Sequence, residues 1–249
     1  MRVDPAILLY GPPLAPPVEL SRWLLDRFGI PYRFETAAAG ISALRSRREK
    51  VPIELPLLHW NGKPSGGLRA AMDRITGPIA KAHGVAVPPF DPAFVDEMLA
   101  KLFGPAVRTF YRHMLPRPDL LKPLSTEGVP VLHRLVIRFA YPAWRLVMAK
   151  GLKLSEHQPE ADVACIELCF SLVESRLAKA HFLGGDQPGM DDVLFATLAS
   201  PVLLPSEHPV RLPPIDILPD QLGALISRLR RSLAGDLVLR TYAADRHRR

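Results

Sequence analysis

The chain has 249 residues, 48% of them apolar and 23% charged; this is the composition of a folded globular protein of one or two domains and excludes wholesale disorder. Proline is abundant at 27 residues, so many element boundaries are set by proline and long uninterrupted strands are excluded. The net charge of +7 is concentrated in residues 101–153, with ten Lys/Arg against two acidic residues, and in residues 228–249, with seven against two; such a basic face either attracts phosphates, anionic lipid or acidic ligands, or is a solvated helix face with a frayed tail.

Ala6–Tyr10 is a short apolar run of strand composition, too short for the apolar region of a signal peptide and followed directly by the loop GPPLAPP. Val18–Phe28 reads as a helix with Leu20, Trp23, Leu24 and Phe28 on one stripe, opened by Pro16 or Pro17 and closed by Gly29. Tyr32–Glu35 is a second strand, and residues 37–50 are ambiguous, with a basic helical turn at Ile41 and Leu44. Glu54–Trp60 is a third strand, Asn61-Gly62 a hairpin turn, and a short fourth strand follows. Leu68–His83 is helical, with Ala71, Met72, Ile75 and Ile79 inward. The order fits an α/β domain over residues 1–83, followed by a linker at 84–91.

Residues 92–249 then form an all-helical domain. Helices are expected at Phe94–Leu115, Val131–Leu152, Glu156–Ala180, shortly after Gly189 and at Gln221–Leu233, with a proline-bearing loop at Arg117–Gly128 and a basic tail at the end. Cys165 and Cys169 lie one turn apart on the apolar stripe of Glu156–Ala180, where they read as core thiols. Two cysteines make neither a disulfide framework nor a zinc set, so a cytoplasmic protein without metal is expected. The eight histidines show no metal spacing, and no GxGxxG or P-loop sequence occurs. No apolar stretch is long enough to span a membrane. Trp23, Trp60 and Trp144 are expected in the core.

Three segments resemble the glutathione transferase family. The opening, LLYGPPLAPPVELSRWLLDRFGIPYRFE, resembles its first strand, active-site loop and first helix, including an E-x-x-R-W-L-L run from Glu19 to Leu25. Leu55-Pro56-Leu57-Leu58-His59-Trp60-Asn61-Gly62 resembles the strand and hairpin of thioredoxin-like domains. His181–Asp192 (HFLGGDQPGMDD) resembles the segment that opens a buried helix with a capping box. The resemblance implies a thioredoxin-like α/β domain, an all-α helical bundle and a homodimer.

It also implies a cis Leu55–Pro56 bond, an arrangement that X–Pro links tolerate, presenting the Leu55 N–H and C=O to an extended peptide such as glutathione. Asp192 and Gly189 take the positions of the capping box, with glycine in place of the usual Ser or Thr; their role is structural.

The residues that do the family's chemistry are altered. A free thiol titrates at about 8.5, so the glutathione thiolate needs a donor or a positive helix end. The family supplies Tyr, Ser or Cys after the first strand, and where Ser or Cys precedes a proline this chain has Ala15-Pro16. Tyr10 is the nearest hydroxyl and reads either as the donor to a thiol or as a packed strand residue; a gap-free alignment places Gly11 at the family's tyrosine position. The amides of residues 14–18 at the helix start are further candidates for holding an anion. The pair that holds the γ-glutamyl carboxylate falls on Gly67 and Leu68, with Ser65 and Gly66 as substitutes if the hairpin is shorter.

Three functions compete. The first is a transferase joining glutathione to a small hydrophobic electrophile, with the thiolate held at the first helix. The second is a non-catalytic transferase-like protein used for binding or assembly. The third adds peripheral membrane contact through Val131–Leu152, where Arg134, Arg138 and Arg145 flank apolar residues; the resemblance makes this stretch a cleft-lining helix instead, which argues against the membrane. Nothing points to nucleic acid.

Overall fold

The computed structural model describes residues 6–177 and 180–246. Strand β1 (Ile7–Gly11) alternates, with Ile7, Leu9 and Gly11 buried and Leu8 and Tyr10 half-buried. That two-residue period lets one face of the strand take helices while the other is only partly covered. Helix α1 (Pro16–Arg27) buries Leu20, Trp23 and Leu24 and ends at Gly29, whose φ of 64° is one that glycine adopts without strain. The chain returns as β2 (Arg33–Thr36), parallel to β1.

The ambiguous stretch resolves into α2 (Ser42–Arg48). Strands β3 (Leu57–Trp60) and β4 (Lys63–Gly66) form the expected hairpin, and β3 runs antiparallel to β1 with Tyr10 opposite Leu57. Both turn residues are left-handed, Asn61 at φ 50° and Gly62 at φ 74°, the geometry for which Asn-Gly is favoured. The sheet order is β2-β1-β3-β4. Helix α3 (Leu68–Arg74) passes through a wider π turn at Ile75–Ile79, which contains Pro78, into α4 (Ala80–Ala82). Trp60, expected in the core, is half-buried.

The helical remainder comprises α5 (Pro92–Met98), a π turn at Leu99–Phe103, α6 (Gly104–Met114), α7 (Pro118–Thr126), α8 (Val131–Phe139), α9 (Tyr141–Gly151), α10 (Pro159–Leu177), α11 (Met190–Ala199), α12 (Asp220–Arg230) and α13 (Leu233–Asp245). This is an α/β domain followed by a helical region. Three expectations need correction. The loop expected at Arg117–Gly128 contains α7: Pro118 stands at its start, where a missing N–H costs nothing, and Pro123 sits inside it. Val131–Leu152 is broken at Ala140 into two helices. The basic tail is in large part α13, with Ala234, Leu237, Val238 and Tyr242 fully buried; residues 247–249 of that tail lie outside the described residues.

The chain forms two compact units. One takes the described residues up to Val87 together with Ser125–Trp144, the other Pro88–Leu124 with Arg145 onward. The sequence reading put all of 92–249 in one helical domain, whereas residues 125–144 pack with the α/β unit. Polar ties hold them there: Thr36 Oγ1 donates to the Gly128 carbonyl (2.5 Å), the Ala38 N–H to His133 Nδ1 (3.3 Å), and Trp144 Nε1 to the Ala39 carbonyl (2.8 Å). Such long-range ties leave no mark in local periodicity.

In the second unit α11 is buried along its whole length except at Asp191. Its first turn is held by Asp192, whose carboxylate accepts the N–H groups of Leu183 (2.8 Å), Gly184 (2.9 Å) and Gly189 (2.8 Å). A Cβ on Gly184 would lie 2.6 Å from the Gly189 nitrogen, so this loop closes only with glycine at that position. In the same unit Arg108 pairs with buried Asp162 through Nε at 3.0 Å and Nη2 at 2.5 Å. Cys165 is half-buried and Cys169 buried; both are free thiols. Burial pushes the Cys169 thiol up to about 11, with Cys165 adding a smaller push, so it stays protonated and inert at neutral pH.

Candidate functional site

Within the α/β unit, the end of β1, the start of α1, the turn before β3 and the start of α3 converge. The Leu55–Pro56 peptide bond is cis. The Pro56 carbonyl accepts the Gly67 N–H (3.0 Å), tying the turn to the start of α3. Among the described residues, neither the N–H nor the C=O of Leu55 has a hydrogen-bond partner. An unpaired main-chain edge of this kind accepts an extended peptide as an added strand.

The floor beside Leu55 is apolar and closed. A Cβ on Gly11 would come within 2.6 Å of Val18 Cγ2 and 3.5 Å of Leu55 Cδ2. Real Cβ atoms do not approach that closely, so a tyrosine at position 11, where the gap-free alignment places the family's hydroxyl, is excluded unless Val18 moves.

The start of α1 lacks the donors that the sequence reading assigned to it. Ala15 is the N-cap, with no side-chain capping bond. Its N–H donates to the Pro12 carbonyl (3.0 Å), and its own carbonyl takes the N–H groups of Val18 (2.9 Å) and Glu19 (3.0 Å). Pro16 and Pro17 have no N–H to give. Of residues 14–18 only Leu14 keeps an amide with no partner among the described residues. Glu19, fully buried in this first turn, already places a carboxylate in the favourable field of the helix end. The uncapped array of outward amides expected at residues 14–18 is therefore corrected to a single N–H, because two consecutive prolines and one shared carbonyl consume the rest.

Tyr10 projects from β1 in the opposite sense to Gly11, as the strand period requires. Its ring lies under the Arg45 guanidinium, 4.5 Å from centroid to Cζ. Arg45 in turn bonds Glu35 (2.7 Å) and Glu49 (2.9 Å), and Glu49 reaches to 2.8 Å from His59 Nε2. Burial raises the Tyr10 pKa, the Arg45 charge opposes this, and Glu35 and Glu49 reinforce it. The hydroxyl thus stays protonated within an α2-side cluster.

At the start of α3, Gly67 is the N-cap and offers no side-chain oxygen; its φ of 104° suits glycine. A Cβ there would meet Glu54 Oε2 at 2.6 Å, so the carboxylate of Glu54 stands beside the cap. Over Gly66 lies the Pro52 carbonyl, 2.4 Å from where a Cβ would be. Ser65 is directed away: its Oγ donates to the Leu58 carbonyl (3.3 Å) and accepts from Arg74 (3.0 Å). Leu55, Pro56, Gly66 and Gly67 are thus brought together, whereas Ser65 and Tyr10 are engaged elsewhere. Glu54 went unnoticed in the sequence, although its place one residue before Leu55-Pro56 was the available signal. Among the described residues no three His, Cys, Asp or Glu side chains form a group able to hold a metal.

This arrangement is the glutathione transferase fold. The chain superposes on a glutathione transferase from Phanerochaete chrysosporium with a TM-score of 0.60 and 16% identity over 97% of this chain and 98% of that one. It superposes on a theta class glutathione S-transferase from Xanthomonas axonopodis pv. citri, solved with glutathione bound, with a TM-score of 0.50 and 17% identity over 94% and 97% of the two chains. Glutathione S-transferase III in its apo form gives a TM-score of 0.50 and 17% identity over 96% of each chain. No protein-family model and no curated protein matches the sequence.

Proposed function

We propose that this chain is a binding protein on a glutathione-transferase scaffold, receiving an extended, peptide-like ligand along the Leu55 main chain without activating a thiol. The observation that carries this reading is the first turn of α1, where Pro16 and Pro17 lack N–H groups and the amides of Ala15, Val18 and Glu19 already donate within the chain. A thiol that titrates at about 8.5 remains mostly protonated at neutral pH unless donors or positive charge hold its anion. The competing transferase reading, conjugation of glutathione to a hydrophobic electrophile, would draw on Leu14 N–H and the helix dipole alone.

Glutathione remains a candidate ligand because it is a short extended peptide. It would meet two obstacles at α3: the cap has no side-chain oxygen, and Glu54 sets a negative charge beside it. A homodimer, implied by the resemblance, and a cytoplasmic location, expected from the two unpaired cysteines, are parts of the same reading. The test is the initial rate of conjugation of glutathione to an activated aryl halide. The expected rate equals that of buffer alone; saturable turnover above it would overturn the reading.

A further inference from the structure

Helix α8 is mounted with its apolar side outward. Its buried residue is Ile137, and His133, on the same side, takes the Ala38 N–H. At 3.6 residues per turn, Val131, Leu132, Leu135, Val136 and Phe139 share one arc of about 140° on the opposite side. All five are exposed, Val131 to 61%, Leu132 to 69% and Phe139 to 76%. Scattered exposed leucines need no explanation, but a contiguous apolar helix face does. The helix is held in this orientation, because the Gly128, His133 and Trp144 ties to Thr36, Ala38 and Ala39 fix the segment on both sides of it.

The charges around this face have one sign. Arg134 and Arg138 are exposed along one edge of the apolar arc, and the stretch from Gly128 to Ser155 holds five Lys/Arg and no Asp or Glu. An outward apolar face bordered by arginines matches a surface with an apolar interior and negative headgroups. It matches a second copy of itself poorly, since that would bring arginines together with no carboxylate on the segment to receive them. No described helix is long and apolar enough to cross a membrane, so the contact lies in the plane of the interface.

We infer that α8 docks this protein on an anionic lipid surface, with Leu132 and Phe139 entering the headgroup boundary and Arg134 and Arg138 lying against the headgroups. The chain breaks at Ala140, so this outward face is carried by the nine residues of α8. The inference is independent of the ligand site at Leu55.

Vesicle flotation tests it. The full chain is mixed with vesicles of equimolar phosphatidylcholine and phosphatidylserine, or of phosphatidylcholine alone. The protein is expected to float with the first and remain at the bottom with the second. Each of Arg134→Gln and Arg138→Gln should lower partitioning about fivefold, from the contribution of a basic residue near an anionic surface, and added salt should act in the same direction. Leu132→Ser with Phe139→Ser should abolish flotation while leaving the circular dichroism spectrum and melting temperature unchanged, since both side chains are exposed. Wild-type protein that stays at the bottom with both vesicle types would overturn the inference. So would a homodimer in sedimentation that the Leu132→Ser, Phe139→Ser variant dissolves, because that result assigns the face to a second copy.

Discussion

Ala15 and its neighbouring prolines decide what the start of α1 can do. A helix start normally offers several N–H groups to an anion. Here Pro16 and Pro17 remove two, and one carbonyl, that of Ala15, occupies the amides of both Val18 and Glu19. The loss of the two proline donors was legible in the sequence, because Pro16-Pro17 stands there in plain letters; the Pro12 carbonyl that takes the Ala15 amide was not. Glu54 is the second such residue. Two like charges about 4 Å apart in water repel by about 1 kcal/mol, so Glu54→Gln should tighten glutathione binding about fivefold, read by NMR titration of the Gly67 amide. Unchanged or weaker binding would show that Glu54 does not face the ligand. The only local mark of position 54 was its place before Leu55-Pro56, because its importance comes from lying beside Gly67, a contact across the whole β3–β4 hairpin.

Elements show the same division between local and long-range cause. The Asn61-Gly62 hairpin, α1 and its stop at Gly29, and the long α10 follow from turn chemistry and apolar spacing, which are local. Asp192 at the start of α11 also announced itself, three residues after Gly189. Asp192 is itself fully buried, and Asp192→Ala leaves the part-buried N–H groups of Leu183, Gly184 and Gly189 without their acceptor. Hydrogen bonds to charged groups contribute about 1.5–3 kcal/mol each, so a loss of at least about 3 kcal/mol is expected from urea unfolding; a loss below about 1 kcal/mol would mean the loop satisfies itself. Helix α13 carried its own signal in Ala234, Leu237, Val238, Thr241 and Tyr242 at helical spacing, but the surrounding arginines read as a tail.

The attachment of α8 was not legible, because it depends on partners nearly a hundred residues away. Its tie at His133 is expected to depend on pH. His133 Nδ1 accepts the Ala38 N–H only when unprotonated, and burial lowers its pKa. A histidine whose folded pKa is depressed contributes its full stability above the unfolded value of about 6.5 and loses it as pH falls through the folded value. Hydrogen-exchange protection of Ala38 should therefore fall in acid, and His133→Phe should remove that dependence. Protection that is constant with pH in the wild type would contradict the tie.

At the scale of the whole molecule, a glutathione-transferase fold survives at 16% identity to the Phanerochaete chrysosporium enzyme. In this chain the buried residues of β1, α1, β3 and α11 hold the fold together, whereas the polar atoms at the starts of α1 and α3 are not dictated by a fold. The chain also divides into units differently from its linear order, with residues 125–144 returned to the α/β unit; periodicity reveals a helix but not the surface on which it lands.

The most direct measurement is the thiol titration of glutathione, followed by thiolate ultraviolet absorbance in the presence of excess protein. With no array of donors at α1, the thiol is expected to titrate at about 8.5, as it does free in solution. A thiolate already formed at neutral pH in the presence of the protein would contradict the account, and would mean that Leu14 and the helix field suffice.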